Sequence, residues 1–136
     1  MQFEQREIDG IQVLKVVEKR IDLGNHLELK GEITRLVRKG AKYLILDLGL
    51  VQLVDSSALG IIILCSRGAC GECPLVLCNL HRKIISIFKA AKLETLLLLA
   101  DDIESAVGKV LELQKEAGEV EDTPANVDAE VETNES

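Results

Sequence analysis

The grouping best placed to do chemistry is Asp55-Ser56-Ser57, where a polar loop gives way to the apolar run ALGIIILC. Asp and Ser immediately before such a run are capping residues, because their side-chain oxygens accept from the first free amides of a helix. The same amides carry partial positive charge and favour an anion such as a phosphate. A serine hydroxyl held there is a candidate phosphoacceptor. Its phosphate ester would set about −1.5 to −2 charges beside Asp55 and change what the surface can bind. A plain cap with no further role uses the same residue types, and spacing alone does not separate the two.

Other groups invite chemistry less well. Cys70-Gly71-Glu72-Cys73 is a CxxC pair, which is at most half of a zinc site. It follows a helix rather than opening one, so it lacks the thiol-acidifying position of a redox pair. Cys65 and Cys78 are expected in a helix and a strand, and all four thiols are expected to be reduced rather than paired. Asp47 ends the strand-like LILD, as the phosphoacceptor of a response-regulator receiver would. The first strands end near Asp9 or Glu18 without the acid pair that holds magnesium there, and the last ends Leu99-Ala100-Asp101 without a lysine. Asp47 is therefore read as a strand-edge acid that fixes the next loop. His26 and His81 fall near helix starts with no nucleophile elbow or triad order. No GxxxxGK[ST] or GxGxxG phosphate loop occurs. Neither an enzymatic activity nor a cofactor or metal site of the chain's own is expected.

These residues must be carried by a compact set of elements. Residues 3–8 and 11–17 flank Asp9-Gly10, a hairpin-turn dipeptide. Residues 21–23 suit a brief third strand. Asn25 offers a cap to a helix over 26–39 that Gly40 stops. Residues 43–48 are apolar apart from Asp47, as in a strand covered on both faces, and 49–54 form a loop. A second helix runs from Asp55-Ser56-Ser57 to about Ala69, followed by a strand over 75–78. Asn79 caps a third helix with Ile84, Ile85, Phe88 and Ala91 inward. A strand over 96–99 and a helix over 103–115, capped by Asp101-Asp102, complete the order. Strands alternating with helices imply right-handed crossovers between parallel neighbours. A mixed sheet of about four or five strands follows.

The totals fit a single domain. Hydrophobic residues make up 47% of 136 residues and aromatic ones 2%, so the core is aliphatic and a nucleic-acid binder built on stacked rings is disfavoured. The net charge is −7, yet residues 116–136 hold eight acids and no Lys or Arg, which leaves the remainder at +1. That balance is no basic footprint for nucleic acid. Residues 116–136 are read as an acidic disordered tail, and 1–115 as the folded domain. The start, MQFEQREIDG, lacks a basic-then-apolar signal pattern, and no apolar run is long enough to span a bilayer. A cytoplasmic location without membrane insertion is expected.

The stretch LILDLGLVQLVDSSALG resembles the signature of the STAS family, in which a strand ending in Asp leads through a loop to Asp-Ser-Ser/Thr-Gly-Leu-Gly at a helix start. PLVLCNLHRKIISIFKAAKLETLL resembles the family's later strand, Asn-containing turn and helix, so the likeness covers about residues 3–112. It implies an α/β fold, a STAS-like single domain with a mixed four- to five-stranded sheet and about four helices packed on it. The nearest functional class is the anti-sigma factor antagonists. In them the serine after the motif acid is phosphorylated, which by position is Ser56. Asp55 is the motif acid, Ser57 its Ser/Thr neighbour, and Asp22 the acid of an early Leu-Asp step. A partner surface of Asp22, Asp55, Ser56, Ser57, Ala58, Leu59 and Gly60 is implied. Ala58 stands where the family usually has Gly, which adds a methyl at the expected partner contact. The implied partners are an anti-sigma factor serine kinase, which supplies ATP and magnesium, and a phosphatase. A cytoplasmic STAS accessory subunit of a lipid-transporting ABC system is the alternative.

Overall fold

The computed structural model describes residues 1–118, so the acidic tail from residue 119 onward lies outside the described residues. Strands β1 (Phe3–Ile8) and β2 (Ile11–Val16) pair antiparallel, with Phe3 opposite Val16 and Ile8 opposite Ile11. Asp9 and Gly10 join them with φ of 52° and 80°. Two consecutive positive φ values match the right-handed twist of the hairpin, as the Asp-Gly dipeptide predicts.

The remaining elements follow as β3 (Arg20–Ile21), α1 (His26–Arg38), β4 (Leu44–Asp47), β5 (Leu53–Val54), α2 (Ser56–Ser66), β6 (Leu75–Cys78), α3 (Arg82–Ala90), a 3-10 turn (Leu93–Thr95), β7 (Leu98–Ala100) and α4 (Ile103–Glu116). The main sheet runs β1-β2-β4-β6-β7, parallel from β2 to β7. The mixed five-stranded sheet and four helices are those the STAS-like reading expects.

Period-two alternation sorts each central strand between two cores. Leu14, Val16, Leu44, Leu46, Leu75 and Leu77 face α1, α2 and α3. Ile11, Val13, Ile45, Val76 and Cys78 face α4. β4 and β6 are buried at every position, which is why their sequences read as apolar runs broken only by Asp47. Leu29, Ile33 and Leu36 of α1, Ile62 of α2 and Ile84 and Phe88 of α3 close the first core. Each fully buried aliphatic side chain contributes roughly 1.5–3 kcal/mol by leaving water.

Several boundaries differ from the sequence expectations, each for a local reason. Residues 53–54 are not loop but β5, a two-residue strand pairing in parallel with β3. Helix α2 stops at Ser66, before Ala69, because Gly68 takes φ 103° and the Ala69 amide returns to the Leu64 carbonyl at 2.9 Å. Asn79 caps no helix. It adopts φ 59° at the end of β6, and α3 begins later with His81 as cap. Asn25 precedes α1, but its side chain bonds back to the Asp22 amide instead of a helix amide. Ala91 is exposed at the end of α3, and the last strand starts at Leu98 because residues 93–95 form the 3-10 turn.

Cys65 and Cys70 are paired as a disulfide, against the expectation of four reduced thiols, while Cys73 and Cys78 are free and buried. The early turn at Gly68 brings Cys70 back over the end of α2, which the CxxC spacing did not suggest. Among the described residues no group of three or more His, Cys, Asp or Glu is placed to hold a metal ion, and no helix is long and apolar enough to cross a membrane.

Gly68 and Gly71 (φ 117°) bound the same loop but meet different surroundings. A methyl at Gly68 meets nothing within 4 Å, whereas at Gly71 it would lie 2.6 Å from Val37 Cγ1. Gly68→Ala should therefore show backbone strain alone, about 1–2 kcal/mol, and Gly71→Ala a larger loss. Adding Val37→Ala to Gly71→Ala should relieve the steric excess but not the strain, as measured by the coupling in denaturant unfolding.

Candidate functional site

The site lies where β5 hands the chain to α2. β5 is too short to hold itself; its ladder with β3 is extended by the Gln52 and Leu53 amides, which both donate to the Lys19 carbonyl, at 2.7 and 3.2 Å. Ile21, fully buried, anchors the other strand. The Asp55 amide then donates to the Ile21 carbonyl at 3.3 Å. Two loops distant in sequence are thereby stitched together just before the helix begins.

Asp55 completes the stitch with its side chain. Oδ1 accepts from the Ala58 amide at 2.9 Å, the N-cap bond of α2. Oδ2 accepts from the Leu23 amide at 3.0 Å, in the loop between β3 and α1. The Ala58 amide is the main cause holding the Asp55 carboxyl below its ordinary value of 3.8. Desolvation opposes it, and the Leu23 and Ser57 amides and the charge of His26 add to it.

Ser56, the first residue of α2, is exposed, and Asp55, Ser57, Leu59 and Gly60 are partly so. Ala58 is not at the surface. Its side chain is fully buried in the first core, which corrects its place in the expected partner surface. The methyl that departs from the usual glycine packs inward rather than toward a partner.

Asp22 serves its own loop. Its Oδ1 accepts from the Gly24 amide at 2.9 Å, and its carbonyl accepts from the Asn25 and His26 amides at 3.1 and 2.8 Å. Asn25 accepts from the Asp22 amide at 2.8 Å and donates to the Arg20 carbonyl at 3.1 Å. His26 Nδ1 lies 3.2 and 3.1 Å from the Asp22 and Leu23 carbonyls. Asp22 thus shapes the loop whose Leu23 amide holds Asp55. Asp47 acts similarly at the end of β4, where Oδ1 accepts from the Gly49 amide at 2.9 Å and from Asn79 Nδ2 at 3.1 Å. It fixes the loop leading to the site, as read from the sequence.

Sequence reasoning missed the leucines around this stitch. Leu23 and Leu53, on the two joined segments, are 73% and 56% exposed, and Leu27 at the start of α1 is 62% exposed. Exposed large apolar residues grouped beside a polar motif suit a docking surface. Nothing in the sequence separates these leucines from core ones, because exposure depends on the β3–β5 pairing.

The STAS domain family model matches residues 2–106, and the chain belongs to that family. Among solved structures it is similar to an anti-sigma factor antagonist from Mycobacterium paratuberculosis (TM-score 0.72, 19% identity, 81% of this chain and 93% of that one). It is similar to Moorella thermoacetica RsbS carrying a serine-to-glutamate substitution (TM-score 0.68, 18% identity, 85% and 99%). It is also similar to the Bacillus cell fate determinant SpoIIAA in its phosphorylated form (TM-score 0.56, 18% identity, 80% and 99%). No curated protein matches the chain.

Removing the Asp55 carboxylate frees an amide on each side of the stitch. Asp55→Ala is expected to lower the thermal unfolding midpoint by several degrees at neutral pH. Because the folded-state carboxyl titrates below its unfolded value, its contribution is complete above the unfolded value and is lost as pH falls through the folded one. The gap between wild type and Asp55→Ala should hold down to about pH 4 and close below it, as followed by thermal melts across acid pH.

Proposed function

We propose that this STAS domain is an anti-sigma factor antagonist. Unphosphorylated, it binds an anti-sigma factor serine kinase and so releases a sigma factor for transcription; phosphorylation of Ser56 switches it off. The observation that carries the reading is the exposed Ser56 hydroxyl on the first residue of α2, beside an Asp55 carboxylate already committed to amides of both joined segments. Two of the similar structures support it, one named as a phosphorylated form and one carrying glutamate in place of serine.

In this mechanism the partner lies across the joined loops, against Leu23 and Leu53, and over the start of α2. The kinase supplies ATP and magnesium. Ser56 Oγ attacks the γ-phosphorus, ADP leaves, and the hydroxyl proton passes to a base of the kinase. The new dianion sits beside the Asp55 carboxylate, and both cannot be desolvated under a docked protein at tolerable cost. The partner therefore leaves, and a phosphatase resets the hydroxyl by releasing inorganic phosphate. The chain itself supplies an acceptor oxygen and a surface rather than an enzymatic activity, and it works in the cytoplasm beside its kinase.

Incubation with an anti-sigma serine kinase of the same organism and ATP should place one phosphate on Ser56 by mass spectrometry, and none on Ser56→Ala. Label on another residue in both proteins contradicts the assignment. Leu23→Glu should weaken the kinase complex tenfold or more, whereas Leu111→Glu on α4, across the sheet, should leave it unchanged; equal effects would move the docking face elsewhere.

A further inference from the structure

We propose that Cys65 and Cys70 form a reversible thiol–disulfide site, separate from Ser56, that is oxidised by a small peroxide. The pair is built by the fold rather than by sequence spacing. Cys65 lies in the last turn of α2, and the reversal at Gly68 returns the chain so that the two Cα atoms are 5.1 Å apart. That separation falls within the usual disulfide window of roughly 4.4–6.8 Å.

Both oxidation states have a place in the structure. The pair is bonded here, and the Lys30 carbonyl of α1 lies 3.9 Å from Cys70 Sγ, able to accept a hydrogen bond from the Cys70 thiol when the bond is open. Gly68 and Gly71 bracket Cys70, both with positive φ, so the segment that carries it is set by glycine turns rather than by a helix or strand. Cys73 and Cys78 are free, buried thiols that stand outside the bonded pair.

Cys65 and Cys70 are 2% and 5% exposed, which restricts the oxidant to a molecule of peroxide size. One thiolate attacks a peroxide oxygen, giving a sulfenic acid and one water once the displaced hydroxide takes up a proton. The second thiol then displaces the sulfenic oxygen as a further water, and the sulfur–sulfur bond forms. Two thiols lose two electrons and two protons, and hydrogen peroxide becomes two waters. A dithiol reductant reverses the step by exchange. The crosslink ties the back end of the Ser56 helix to the loop packed on α1.

Trypsin distinguishes this bond from the CxxC alternative on the wild-type protein. Cleavage at Arg67 separates Cys65, in the fragment 43–67, from Cys70, Cys73 and Cys78, all in the fragment 68–82. Reduced full-length protein is treated with hydrogen peroxide, alkylated under denaturing conditions and digested without reductant. The expected result is 43–67 joined to 68–82, with Cys73 and Cys78 alkylated, and full reversal by dithiothreitol. Cys70→Ala should give no joined fragments. A bond confined to 68–82, four alkylated thiols after peroxide, or a product that dithiothreitol does not reverse would each overturn the proposal.

Discussion

One carboxylate joins the two halves of the site. Asp55 gives Oδ1 to the start of α2 and Oδ2 to the loop before α1, so one side chain completes the backbone ladder that joins the two segments. A charged acceptor suits both bonds, because each amide would otherwise stand unpaired at a turn or a helix end. The same charge makes the neighbouring position sensitive. Any further negative group on Ser56 enters a field already set by a carboxylate that cannot easily be protonated, since its bonds hold its titration below the ordinary range.

The rest of the fold supplies the rigidity this arrangement needs. The central strands are buried on both faces, and their alternation divides one sheet into two aliphatic cores. Asp47 and Asn79 tie the ends of β4 and β6 together, so the loop to β5 leaves the sheet from a fixed point. Ile21, Val51 and Ala58 carry the site into the first core. Ser56 is therefore exposed on a platform whose backbone is held from below by packing and from the side by β3. A phosphate on Ser56 would alter the surface without unfolding the domain, because the Ser56 side chain is not part of the core.

Much of this was legible in the sequence. The Asp-Gly hairpin, the apolar strands, the Asp55-Ser56-Ser57 helix start and the role of Asp47 all rest on local chemistry, and local chemistry is what a sequence records. The β3–β5 ladder was not legible, because two-residue strands are too short to show a period. With it went the exposure of Leu23 and Leu53. Asn79 misled because asparagine suits both a helix cap and a left-handed turn, and its bond to Asp47 decides between them; Asn25 does stand at the start of α1, but its side chain is taken up by the Asp22 amide and the Arg20 carbonyl. Ala58 looked like a surface difference at a partner contact, yet the helix rotation that exposes Ser56 turns position 58 inward. The Cys65–Cys70 pairing was hidden for a related reason, since it depends on where a glycine ends the helix.

The account stands or falls on what a phosphate at Ser56 does to a docked protein. The direct measurement is calorimetric titration of the anti-sigma kinase, without ATP, into the unphosphorylated chain and into the chain phosphorylated stoichiometrically on Ser56. The account predicts a dissociation constant at least tenfold weaker for the phosphorylated form, about 1.4 kcal/mol, with the fold unchanged by circular dichroism. Equal affinity for the two forms would contradict it.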